Sequence, residues 1–186
     1  MATLTEADYL TLDRAAEYKS EFVDGEISAM SGGTPRHSRL GFKVGVQLES
    51  ALQGSKCTTF NSDMRIRTPQ GNYFYPDASV VCGPFETHPG TNDVCVNPVL
   101  IAEVLSRSTA NYDRGLKFER YRSIPSLRDY LIIHADTIHL EHYARQADDS
   151  WVLREYRGEA ACVPLPNLEC ELPLGSIYLG VMELPG

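Results

Sequence analysis

Two hydrophobic periods divide this chain. From Thr5 to about Tyr18 the chain reads as an opening helix, and through "TPRHSRLGFKVGVQLESAL" apolar residues recur every three or four positions, as on a helix with one buried stripe. Thr5 can cap the first helix, and Glu6 and Asp8 place negative charge in its first turn. In the second, Leu40, Val44 and Leu48 form the stripe, with Phe42 and Val46 nearby. Gly41 and Gly45 interrupt it and leave room for close packing. Between the helices, "YKSEFVDGEISAMSGG" reads as two short alternating runs joined by Asp24-Gly25, the two-residue turn signal of a hairpin.

Strand patterns dominate the middle of the chain. Short runs at about Cys57 to Asn61 and Met64 to Arg67 lead through a "TPQGNY" loop to "PDASVVC", a strand entered through Pro76. "PVLIAEVLS" is apolar on both faces, as a central strand covered on both sides should be. A helix follows from roughly Tyr112 to Ser123, with Ser108, Thr109 or Asn111 as cap and Pro125 as terminator. "RDYLIIH", "TIHLEHYAR" and "WVLREYR" read as strands joined by short turns, and the last 25 residues as loop with a weak strand or helical turn. The order predicts one α/β domain over residues 1–186, with a mixed central sheet flanked by helices.

A chain of 186 residues can bury a real core. Its N-terminus is charged throughout and lacks the apolar stretch of a signal peptide, and no segment approaches the ~20 apolar residues of a membrane span. The expectation is a soluble, cytoplasmic protein. Five cysteines without a C-x-x-C pair predict buried free thiols rather than a zinc site. His139 and His142 fall on opposite faces of their strand, so one metal cannot easily take both, and His134, His139 and His142 are read as structural.

The net charge of -8 argues against a non-specific nucleic-acid binder. The distribution changes that picture. Six basic residues stand against two acidic ones between Arg107 and Arg128, and Arg36, Arg39 and Lys43 form a second basic cluster. One basic face on an acidic protein fits this pattern.

The sharpest chemical signal is Glu103 inside "VLIAEVL". It shares a strand face with Val99, Ile101 and Leu105, where apolar packing is expected. Asp77 opens the preceding core strand, so antiparallel pairing would bring both carboxylates to one sheet edge. Such a pair is costly unless a cation offsets it, and a hard ion such as Mg²⁺ binds through one or two carboxylates plus phosphate oxygens. Asp113, Lys117 and Tyr121 lie at i, i+4 and i+8 on the next helix, from which Lys117 can reach back over the sheet edge.

Plainer readings compete. Asp77 after a proline can be a strand-start residue, and Glu103 can pair with Arg107 or Arg65. Lys117 and Asp113 can form an exposed ion pair worth only ~0.3 to 0.5 kcal/mol. Tyr121 reads as packing, and His37 beside Arg36 and Arg39 as a solvated helix face.

Pro76-Asp77, "AEVLSRST", "YDRGLKFERY", "EFVDGEI", His37 and "RDYLIIHADTIHLEHYAR" together resemble the Uma-type restriction endonuclease family, within the PD-(D/E)xK nuclease superfamily. The resemblance runs from about Tyr18 to Tyr156. It implies a restriction-endonuclease-like core and Mg²⁺-dependent hydrolysis of DNA, Mn²⁺ substituting, with Asp77 and Glu103 as metal ligands and Lys117, Glu26 and His37 completing the site. The superfamily lysine usually stands two residues after the glutamate, where this chain has Leu105, so Lys117 resembles the migrated lysine of other branches. Arg36, Arg39, Arg114 and Arg120 are candidates for DNA phosphate contacts. The alternative is a catalytically silent nucleic-acid-binding or protein-interaction domain on the same fold. The C-terminal strands offer an edge for a homodimer.

Overall fold

The computed structural model describes residues 4–30, 32–105 and 110–186. Arg107, Ser108 and Thr109, named above as ion-pair partner and caps, lie outside them. Helix α1 (Glu6–Ala15) begins at a capping box in which Thr5 and Asp8 bond reciprocally. Strands β1 (Ser20–Val23) and β2 (Glu26–Ala29) form the predicted hairpin. Asp24 and Gly25 both take positive φ, 51° and 88°, as the tight hairpin turn requires. Helix α2 (Pro35–Ala51) starts at Thr34, whose hydroxyl accepts the His37 backbone N–H.

Strands β3 (Cys57–Asn61), β4 (Arg65–Arg67), β5 (Tyr73–Phe74), β6 (Ala78–Cys82), β7 (Val94–Cys95) and β8 (Leu100–Leu105) follow. Next, α3 (Ala110–Tyr112), a wide π turn (Asp113–Lys117) and α4 (Phe118–Tyr121) succeed one another without a break. Strands β9 (Asp129–His134), β10 (His139–Arg145) and β11 (Trp151–Arg157) are those expected. The main sheet runs β11-β10-β9-β8-β6-β3, with β8 and β9 parallel and every other pair antiparallel. A smaller sheet, β2-β1-β5-β4-β7, stands beside it. This is the mixed α/β architecture read from the sequence.

Strand β8 is buried along its whole length, and its two faces enter different cores. Leu100, Ala102 and Val104 pack with Leu40, Val44 and Leu48 of α2, while Ile101 and Leu105 pack with Phe118 and Tyr121 of α4. Each fully buried leucine contributes about 1.5–3 kcal/mol. Glu103 shares the second face, which points it beneath the helix that carries Lys117.

Two expectations fail. The last 25 residues are not loop-like: β12 (Cys162–Leu165), a 3₁₀ turn (Pro166–Leu168), β13 (Cys170–Pro173) and α5 (Leu174–Tyr178) close the α2 side of the main sheet. Val163, Leu165, Leu172, Leu174 and Ile177 are fully buried there. Pro164, Pro166 and Pro173 break up the alternating pattern that would have announced these strands. Nor are all the cysteines free thiols. The register of β3 and β6 sets Cys57 opposite Cys82, and the two form a disulfide, while Cys95, Cys162 and Cys170 remain free.

Candidate active site

The register of β6 and β8 pairs Ala78 with Ala102, so the chain entering β6 at Asp77 runs beside the end of β8. The Val104 N–H donates to Asp77 Oδ2 at 2.7 Å, fixing that carboxylate next to Glu103. A Cβ built on Gly41 would stand 3.4 Å from Asp77 Oδ1, so α2 approaches closest where it lacks a side chain. His37, set in the first turn of α2 by its cap, brings Nε2 to 3.6 Å from Asp77 Oδ2.

From the opposite face, Lys117 reaches Glu103. Its Nζ lies 2.9 Å from Glu103 Oε1, 2.8 Å from Glu21 Oε1 and 3.8 Å from Asp113 Oδ1. Tyr121 donates to Glu103 Oε1 at 2.9 Å, and Tyr112 donates to Glu21 Oε2 at 3.0 Å. The π turn aligns these groups: it carries Asp113 at its start and Lys117 at its end, both buried. Widened turns of this kind often occur at functional sites. Glu21, His37, Asp77, Glu103, Asp113 and Lys117 line one cavity of about 680 Å³.

The charges are strongly coupled. Burial opposes the Lys117 ammonium, but Glu103, Glu21 and Asp113 overcome it and raise its pKa well above the usual lysine range. Burial also pushes Glu103 up to about 8, against the pull of Lys117 and with help from Asp113 and Asp77. More carboxylates surround this ammonium than it can neutralise, and the surplus donors are all oxygen. That is the donor set a hard divalent ion prefers.

Asp77, Glu103, Lys117 and His37 therefore meet, as the sequence suggested. Glu26 does not: it is exposed on β2, paired in register with Val23 just beyond the hairpin turn. The glutamate of "EFVDGEI" that enters the site is Glu21, 8% exposed in a strand buried on both faces. Its signal in the sequence is the same as that of Glu103, a carboxylate inside a buried run. Tyr121 packs against Phe74 as expected and in addition bonds Glu103. Arg65 is not the partner of Glu103, because Asp13 and Asp93 hold it.

The predicted basic face is largely taken up by internal contacts. Arg36 donates to the carbonyls of Leu184 and Met182, Arg114 binds Glu141, and Arg120 binds Asp24 and Glu119. Each arginine found an acceptor from a distant segment, which charge counting along the chain could not foresee. Arg39 stays exposed, its guanidinium over the Phe42 ring. The histidines differ as well. His142 sits on the far face with Asp129, as expected, but His134 and His139 are grouped with Glu141. Among the described residues no helix is long and apolar enough to cross a membrane.

The chain is similar to known proteins over most of its length. It is 39% identical over 159 residues to the uncharacterized protein sll1609 of Synechocystis, covering 85% of this chain and 90% of that one. It is 32% identical over 179 residues to the uncharacterized protein slr1290 of the same organism, covering 96% and 93%. A solved structure described as a "putative nuclease belonging to DUF820" from Anabaena variabilis superposes with a TM-score of 0.78 at 17% identity, over 96% of this chain and 99% of that one. That likeness concerns the fold. The sequence profile of the Uma2 family, described as "Putative restriction endonuclease", matches residues 6–175, so the protein belongs to that family.

Proposed function

We propose that this protein is a metal-dependent nuclease that hydrolyses DNA phosphodiester bonds. The observation that carries the reading is the Lys117 ammonium held between Glu21 and Glu103. It stands in a cavity that Asp77 also lines. Family membership supports the same reaction class.

Asp77 and Glu103 are the residues suited to hold Mg²⁺, or Mn²⁺ in its place. They offer oxygen donors in a site with surplus negative charge. Such an ion, when bound, supplies Lewis-acid polarisation of phosphate oxygens and neutralises developing charge. Lys117, positioned by Glu21 and Glu103, presents its protons to the attacked phosphate and stabilises the negative charge that grows there. Its raised pKa keeps it protonated for that role. Tyr121 holds the Glu103 carboxylate, and His37 stands against Asp77. Arg39, exposed on α2, is placed to meet a backbone phosphate.

The test is cleavage of circular and single-stranded DNA with Mg²⁺ or Mn²⁺, comparing the wild type with Glu103→Ala and Lys117→Ala purified in parallel. Cutting by the wild type, lost in both folded variants, supports the nuclease. Equal behaviour of all three proteins sinks it. A salt-dependent DNA mobility shift without cutting favours the catalytically silent binder.

A further inference from the structure

Away from Lys117, another cluster has the makings of a metal centre. Strands β9 and β10 pair with Leu140 opposite Ile133, which brings His139 level with His134, and Glu141 lies one step along on the same face. The two rings are 3.9 Å apart between centroids. One donor atom from each of His134, His139 and Glu141 lies within 4.8 Å of the other two. His139 and Glu141 are buried, and His134 is half-buried.

The two imidazoles are not satisfied by the cluster's own hydrogen bonds. His134 Nε2 lies 2.8 Å from Glu141 Oε1 and 3.1 Å from Arg114 Nη2. A ring nitrogen can donate to the carboxylate or accept from the guanidinium, but not both, so one contact is unfavourable in either tautomer. His139 Nε2 is buried without a hydrogen-bond partner among the described residues, with Glu155 Oε1 3.5 Å away. Tyr143 donates to Glu141 Oε2 at 2.9 Å, an outer contact that orients a ligand carboxylate.

We propose that His134, His139 and Glu141 bind one divalent ion of borderline softness, with Zn²⁺ the best fit, and that this ion competes with Arg114 for Glu141. Two imidazoles and a carboxylate form a three-ligand zinc set with a fourth position left open, and the imidazoles disfavour Mg²⁺. Arg114 occupies the carboxylate in the absence of the ion. Its side chain is one-third exposed on the π turn, so it has solvent to turn into. A bound dication repels the guanidinium and releases it. This site uses a different strand pair from Asp77 and Glu103 and does not depend on the nuclease reading.

The experiment is calorimetric titration of Zn²⁺ into the chelator-treated full chain, with thermal melts confirming that each variant is folded. With Mg²⁺ in excess to occupy the acidic cavity, one high-affinity equivalent is expected in the wild type. Binding weakens about 100-fold or more in His139→Ala and in His134→Ala, the second variant guarding against misfolding of the first. It tightens about tenfold in Arg114→Ala. Binding that appears only once Arg114 is removed, and is lost with His139, also supports the competition. Absence of saturable binding in both the wild type and Arg114→Ala overturns the proposal. So does binding that survives both histidine variants, which assigns the ion to the free cysteines or to the acidic cavity.

Discussion

Lys117 and Glu103 face one another at 2.9 Å, one from a π turn and the other from the most deeply buried strand of the sheet. Neither has much water to fall back on, as both side chains are under a tenth exposed. Replacing Lys117 with Met leaves Glu21 and Glu103 facing each other without the ammonium, which destabilises the fold by about 3 kcal/mol. Urea unfolding measures that loss. Mg²⁺ is expected to raise the melting temperature of Lys117→Met more than that of the wild type, because the ion replaces missing positive charge.

The two glutamates of the first hairpin have different fates. Glu21→Gln weakens the hold on Lys117 and lowers the DNA cleavage rate about tenfold or more, while Glu26→Gln leaves it unchanged. Initial rates with Mg²⁺ distinguish them. Equal effects of the two substitutions contradict the placement of Glu21 as the ammonium's partner.

Tyr121→Phe removes one hydroxyl and little volume. The buried Glu103 loses a donor, costing about 1.5 kcal/mol of stability. Cleavage falls less than in Lys117→Ala, since the ammonium remains. Parallel denaturant curves and cleavage rates test both parts.

Gly41 sets how closely α2 approaches Asp77. An alanine there fits at ordinary contact distance, 3.4 Å from Asp77 Oδ1. A valine adds methyl groups and pushes the carboxylate off the Val104 N–H. Gly41→Val is expected to lose cleavage activity while keeping a near-normal melting temperature, and Gly41→Ala to keep both.

Acid stability reports on a different cluster. Arg14 and Arg65 bind Asp93 and lower its pKa to about 2, Arg14 making the largest contribution. A carboxylate held below its unfolded value near 3.9 stabilises the fold above that pH and loses the contribution as pH falls towards 2. Asp93→Asn should therefore melt below the wild type at pH 6, the gap closing as pH approaches 2. A constant gap across that range rejects the assignment.

Much of the site is legible in the order of the residues. A carboxylate inside "VLIAEVL" violates the burial pattern of its own strand, and a lysine at helical spacing from Asp113 and Tyr121 can be placed from the sequence alone. Glu21 carries a similar signal in a run of only four strand residues, too short for its burial on both faces to stand out. The arginines could not be assigned, because Arg36 ends on carbonyls near the C-terminus and Arg114 on Glu141, partners remote in sequence.

By itself, the sequence determined what depends on neighbours a few residues apart. It specified the cap of α1, the period of α2, the Asp24-Gly25 turn, the apolar central strand and the anomaly of Glu103 within it. Those features follow from backbone geometry, which repeats every 2 or 3.6 residues and leaves its mark locally. The tertiary structure decided which glutamate meets Lys117, which arginines are already engaged, that Cys57 faces Cys82, and that His134 and His139 converge on Glu141. Each of these depends on strand register or on ion pairing between distant segments. The free energy of such contacts resides in pairs brought together only by the packed fold.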